Sequence, residues 1–144
     1  MSFRTDAAAE YHRKGFNCAQ AVACAFADEV SMSEEDLYRI LEGFGLGMGG
    51  TRGTCGAISG AVAILSLMNS IGPSDPANKA STYRLTREVI RRFEEKNGVS
   101  ICGQLKGLET GTVIRSCPDC IADAAEILEQ IIGERRAAQQ PREE

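Results

Sequence analysis

Apolar residues recur along this chain at intervals of three and four, as in Leu37, Ile40 and Leu41 and again in Ile121, Ala124, Ala125 and Leu128, with no sustained alternation of period two. That pattern predicts an all-α fold. Helices are expected over about 3–14, 18–29, 34–42, 55–71, 76–97, 101–106 and 117–135, joined by short connections into a single-domain helical bundle. Gly15, Gly72 and Gly98 each follow a periodic run and can take the left-handed conformation that ends a helix, while Pro73 and Pro76 punctuate one connection. A glycine-rich loop leads into the central helix at Cys55. From 134 to 144 the sequence ERRAAQQPREE loses its apolar face and includes Pro141, so this tail is expected to fray from a domain of residues 1–133.

At 144 residues and 43% hydrophobic content the chain can bury a core without covalent staples, so its six cysteines need another explanation. Charges at Arg4, Asp6, Glu10, Arg13 and Lys14 interrupt the N-terminal segment, and no apolar run reaches the ~18 residues of a membrane span. No membrane insertion and a cytoplasmic location are therefore expected. Thiols stay reduced there, and cysteines point to metal binding or redox chemistry before a disulfide scaffold. A net charge of -4 argues against nucleic acid as a partner, and Arg84, Arg87, Arg91 and Arg92, interleaved with Glu88, Glu94 and Glu95, read as a solvated helix face.

The cysteines fall at particular places. Asn17 precedes Cys18, Thr54 precedes Cys55, Ser116 precedes Cys117 and Ser100 stands two before Cys102, so four thiols are expected in the first turn of a capped helix. The partial positive charge of a helix N-terminus favours thiolate, the form that binds metal and attacks disulfides. Cys24, in the middle of the apolar run AQAVACAFA, is expected to be core. Cys117-Pro-Asp-Cys120 puts two thiols on one helical face, as a dithiol couple or half of a metal site, without the strands of a thioredoxin-type context.

Two glycine patterns compete for attention. Gly45-Leu46-Gly47-Met48-Gly49-Gly50 formally matches the dinucleotide fingerprint, but a helical segment precedes it where a strand is required, and no G-K-[ST] follows. Gly56 and Gly60, four apart and flanked by Ala57 and Ala61, clear one helix face for the close approach of either another helix or a cofactor.

Cys55-Gly56-Ala57-Ile58-Ser59-Gly60, together with Cys18 in GFNCAQAV, Cys102 in CGQL and Cys117 in CPDCIADAAEIL, resembles the C_GCAxxG_C_C family of redox-active proteins over about residues 8–132. The resemblance implies an all-helical protein with four functional cysteines and redox activity. A looser similarity to the cysteine site of split-Soret cytochromes implies an iron–sulfur cluster, the two-iron type first, held by Cys18, Cys55, Cys102 and Cys117 with Gly56 and Gly60 beside it. Haem is not implied, because no C-x-x-C-H occurs and His12, in YHRK, is expected to be solvated. Cys24 and Cys120 are additional to the family's four, and Cys120 could replace Cys117 or pair with it.

Three functions follow as expectations. The first is a cluster- or metal-binding protein for electron transfer or redox sensing with a redox partner protein. The second is a metal-free thiol–disulfide enzyme or sensor using Cys55, Cys117 and Cys120. The third is a non-catalytic module whose cysteines bind zinc or merely pack, and which acts by oligomerisation or partner binding. Small helical redox proteins are often dimers, so a homodimer is an expectation apart from these three.

Overall fold

In a computed structural model that describes residues 2–139, the chain forms seven α-helices: α1 (Phe3–Arg13), α2 (Cys18–Cys24), α3 (Glu34–Leu41), α4 (Gly56–Asn69), α5 (Lys79–Asn97), α6 (Cys102–Leu105) and α7 (Cys117–Gln139). Among the described residues there is no strand, only an isolated antiparallel bridge between Thr54 and Ile101. The expected all-α bundle is thus the observed architecture. No described helix is long and apolar enough to cross a membrane.

The short helix α2 is the hub. It packs on α4 most extensively and also on α1, α3 and α7. Ala19, Ala21, Val22 and Ala23 are all fully buried, and small side chains on both α2 and α4 let the two backbones approach closely. Around this seam the larger core residues Phe26, Leu37, Ile58, Ile64, Phe93, Ile121 and Leu128 fill the space between helices.

Gly15, Gly72 and Gly98 each adopt positive φ, as their positions after periodic runs predict. Two boundaries differ most from expectation. The helix expected over 18–29 stops at Cys24 and tightens into a single 3₁₀ turn at Ala27–Glu29. There the Arg4 guanidinium donates to the Ala25 carbonyl at 2.8 Å and pairs with Asp28 and Glu29, so a side chain from α1 takes the acceptor that another helical turn would have used. Residues 134–139, expected to fray, continue α7 instead, and only 140–144 of that tail lie outside the described residues. The reason is tertiary: Glu134 pairs with Arg92 at 2.7 Å, Arg135 donates to Asn69 at 3.2 Å, and Arg136 pairs with Glu29. Arg91 and Arg92 also pair with Glu88, in keeping with a solvated helix face.

Candidate functional site

Each cysteine is delivered by a local device. Cys18 opens α2 beneath a reciprocal cap, in which Asn17 Oδ1 accepts the Gln20 N–H and Gln20 Oε1 accepts the Asn17 N–H, both at 2.9 Å. Gln20 is buried and its amide also donates to the Tyr38 carbonyl at 2.8 Å, so the start of α2 is tied to α3. Ser116 caps α7 above Cys117, accepting from the Asp119 N–H at 3.3 Å.

Cys55 and Cys102 are placed by the bridge. Cys55 N–H donates to the Ser100 carbonyl at 2.8 Å and Cys102 N–H to the Gly53 carbonyl at 3.0 Å, which sets the two cysteines side by side although 47 positions separate them in the sequence numbering. This corrects two expectations. Thr54 does not cap α4, because Cys55 itself occupies the cap position, and Ser100 does not cap α6, because its hydroxyl donates to Glu94 at 2.7 Å.

The glycine-rich segment closes the arrangement. Leu46, Met48 and Thr51 all take positive φ, which for β-branched Thr51 at 68° is a strained conformation. The loop therefore has a defined path rather than a free one. A Cβ at Gly47 would stand 2.4 Å from the Cys102 Cβ, and a Cβ at Gly56 would stand 2.4 Å from the Cys18 sulfur. Gly56 thus clears room for a thiol. Gly60 does not: its missing Cβ faces the Ala19 carbonyl, so the expectation that it borders a cofactor is replaced by helix packing.

Cys18, Cys55, Cys102, Cys117 and Cys120 line one cavity of about 180 Å³. Five of the six cysteines meet there, and Cys24 lies apart in the core, its thiol pointing to the Glu34 carbonyl. Cys55, Cys102 and Cys120 are buried, while Cys18 and Cys117 are half-buried. Six further residues line the cavity, three of them with ionisable side chains: His12, Lys106 and Arg115. His12 is half-buried at the site, not the solvated residue its sequence neighbours suggest. Lys106 had a local signal, standing four after Cys102 on the same helical face, whereas nothing near His12 in sequence links it to a cysteine.

The thiols are electrostatically unequal. The neighbouring Cys120 thiol is the largest influence on Cys55 and outweighs the opposing effect of burial; the Ala57 and Ile58 N–H groups and the Lys106 charge add to it, and the Cys55 pKa is lowered. Cys120 is pushed up by Cys55 and by burial, and its thiol is directed at the Arg115 carbonyl at 3.9 Å. Burial also raises Cys18 and Cys102, and lifts Cys24 to about 12. Lys106 Nζ donates to the Cys117 sulfur at 3.2 Å, and that contact raises the lysine pKa. Among the described residues no three His, Cys, Asp or Glu side chains are spaced to hold one metal ion as they stand.

Behind the cavity, Asp123 braces the α7 start. It is 2% exposed, and burial works against its charge, yet Arg115 (2.9 Å), Lys96 (2.7 Å) and Asn97 (3.1 Å) together hold its pKa below the usual range. Asp123→Ala is expected to lower stability by about 1–3 kcal/mol, less than for a fully buried pair because Lys96 and Arg115 can rehydrate. Urea denaturation measures this, and a change under a few tenths of a kcal/mol would show the brace to be dispensable. The sign with pH follows from the lowered pKa. The contribution is present above the unfolded carboxyl value and disappears as pH falls through the folded one.

Fold and site together define an all-helical protein whose chemistry-bearing groups are cysteines gathered in one cavity. The chain belongs to the C_GCAxxG_C_C family: the family described as "Putative redox-active protein (C_GCAxxG_C_C)" matches residues 16–131. It is also similar to a protein of Archaeoglobus fulgidus described as "Uncharacterized protein", with 31% identity over 122 residues that cover 77% of this chain and 81% of the relative. No solved structure matches the chain significantly.

Proposed function

We propose that the cavity is a thiol redox site in which Cys55 and Cys120 cycle between dithiol and disulfide. The observation that carries this reading is that two buried thiols, Cys55 and Cys120, line one cavity and shift each other's acidity in opposite directions, Cys55 lowered and Cys120 raised. A thiol pair of this kind needs one sulfur that carries charge readily and a neighbour that surrenders its proton late. In the forward direction the two thiols give two electrons and two protons to an external disulfide, which leaves as two thiols, and the Cys55–Cys120 bond forms. The α4 N–H groups and Lys106 stabilise Cys55 as the sulfur anion, and burial protects the resulting bond from indiscriminate exchange.

Diamide oxidation of anaerobically purified protein, followed by peptide mapping, tests this directly. The expected product has one Cys55–Cys120 disulfide, is reversed by dithiothreitol, and is unchanged in Cys24→Ser. A different dominant pairing, or none, would overturn the proposal.

A second reading is favoured by the convergence of Cys18, Cys55, Cys102 and Cys117 on one cavity with Lys106 and Arg115 beside them. Four thiolates suit a thiophilic metal such as zinc or an iron–sulfur cluster, and nearby cations would offset the negative charge. When bound, such a cluster would supply one-electron transfer. Those four cysteines would be its holders, drawn closer together than they stand. Iron and sulfide analysis after anaerobic reconstitution, with Cys→Ser at each of the four, distinguishes this reading. It predicts loss of the cluster in each variant and retention in Cys24→Ser.

A further inference from the structure

We infer that Cys117 is a shuttle cysteine, carrying oxidising equivalents between the buried Cys55–Cys120 pair and thiols outside the protein; the inference rests on the dithiol reading above. Cys55 is 5% exposed and Cys120 3% exposed, so neither sulfur offers an incoming thiolate the straight approach that disulfide exchange requires. Cys117 is half-buried at the first position of α7, flanked by the exposed residues Ser116 and Pro118. It lines the same cavity, stands one helical turn from Cys120, and alone among the cysteines receives a hydrogen bond from an ammonium group, Lys106 Nζ at 3.2 Å. One residue thus combines access to solvent, proximity to the buried pair and a cation beside its sulfur.

The exchange balances in three steps. With the buried pair oxidised, the Cys117 thiolate attacks the Cys120 sulfur. A Cys117–Cys120 bond forms, the Cys55–Cys120 bond breaks, and Cys55 leaves with the electron pair, received by the Ala57 and Ile58 N–H groups and the Lys106 charge. An external thiolate then attacks the accessible Cys117 sulfur, forming a mixed disulfide, and Cys120 leaves and takes one proton from water. A second external thiolate attacks the external sulfur of the mixed disulfide, which frees the Cys117 thiolate and releases the external disulfide. The protein pair has gained two electrons and the external thiols have lost two. Run backwards, the same steps oxidise the pair.

The shared chemistry of the external reactant is a thiolate, and glutathione and a reduced thioredoxin are the two arms of the test. Diamide-oxidised wild type and Cys117→Ser are mixed with each, and thiol recovery at Cys55 is followed by alkylation and mass spectrometry. Both variants are first checked for equal helicity. Recovery at least about tenfold slower in Cys117→Ser is expected in one arm or both, and the faster wild-type arm identifies the source of the thiolate. A thioredoxin lacking its resolving cysteine should form its adduct on Cys117. Recovery within twofold of wild type in both arms, or an adduct on Cys55 or Cys120, overturns the shuttle alone. Absence of a Cys55–Cys120 disulfide in oxidised wild type overturns the dithiol reading and the shuttle with it.

Discussion

Gly60→Ala is expected to destabilise the fold by about 2–3 kcal/mol, although alanine in place of glycine inside a helix ordinarily gains ~1 kcal/mol. The added Cβ would stand 2.4 Å from the Ala19 carbonyl oxygen and 3.1 Å from its carbon, and a backbone cannot rotate out of the way as a side chain can. Nor can α2 retreat. Its Ala21, Val22 and Ala23 are fully buried against other elements, and its start is tied through Gln20 to the Tyr38 carbonyl. Separating α2 from α4 would also move Cys18 away from Gly56, so loss of stability and disturbance of the site should appear together. Urea midpoints at constant slope measure the first. Gly50→Ala serves as the control, with nothing within 4 Å of its added Cβ and an expected change within about 0.5 kcal/mol. Equal stability of Gly60→Ala and wild type would show that the two backbones do not approach as described.

The second large effect concerns Cys55. In wild type, the pH dependence of alkylation by iodoacetamide should contain a component inflecting below the ordinary thiol value of about 8.5. Cys55→Ser should remove that component and the diamide-induced disulfide together, while the burial of Cys55 keeps the component slower than alkylation of the more accessible Cys117. The direction follows from the shift: a lowered thiol pKa means the reactive anion persists at lower pH and is lost only as pH falls through the lowered value. Cys120→Ala should move the inflection upward, since the Cys120 thiol is the largest contribution to the lowering. An inflection unchanged in Cys120→Ala would mean that the helix N–H groups and Lys106 alone set the acidity of Cys55. Cys24, raised to about 12 by burial and by Glu34, should stay unreactive across the neutral range.

Much of this was legible because it is local. Three- and four-residue periodicity depends only on neighbouring positions along one helix, so the helices could be read directly. The same holds for the stops at Gly15, Gly72 and Gly98, the caps at Asn17 and Ser116, and the core position of Cys24. The motif Cys55–Gly60 indicated the family, and membership over residues 16–131 bears that out. Even so, the two glycines of that motif turn out to serve different ends. Gly56 admits the Cys18 sulfur and Gly60 admits a helix, a distinction that depends on what lies across the space and not on the spacing itself.

By itself, then, the sequence determined an all-α chain with thiols at or beside the starts of its helices, since capping and amphipathicity are properties of segments a few residues long. Tertiary structure decided the rest. It alone gathered Cys55, Cys102 and Cys120 around one cavity, drew His12 into it, and kept 134–139 helical through ion pairs and hydrogen bonds with distant segments. The physical reason is the same in each case. A sulfur's acidity, a glycine's use and a helix's end depend on groups far away in sequence, and the packing of α2 between α1, α4 and α7 is what brings those groups within reach.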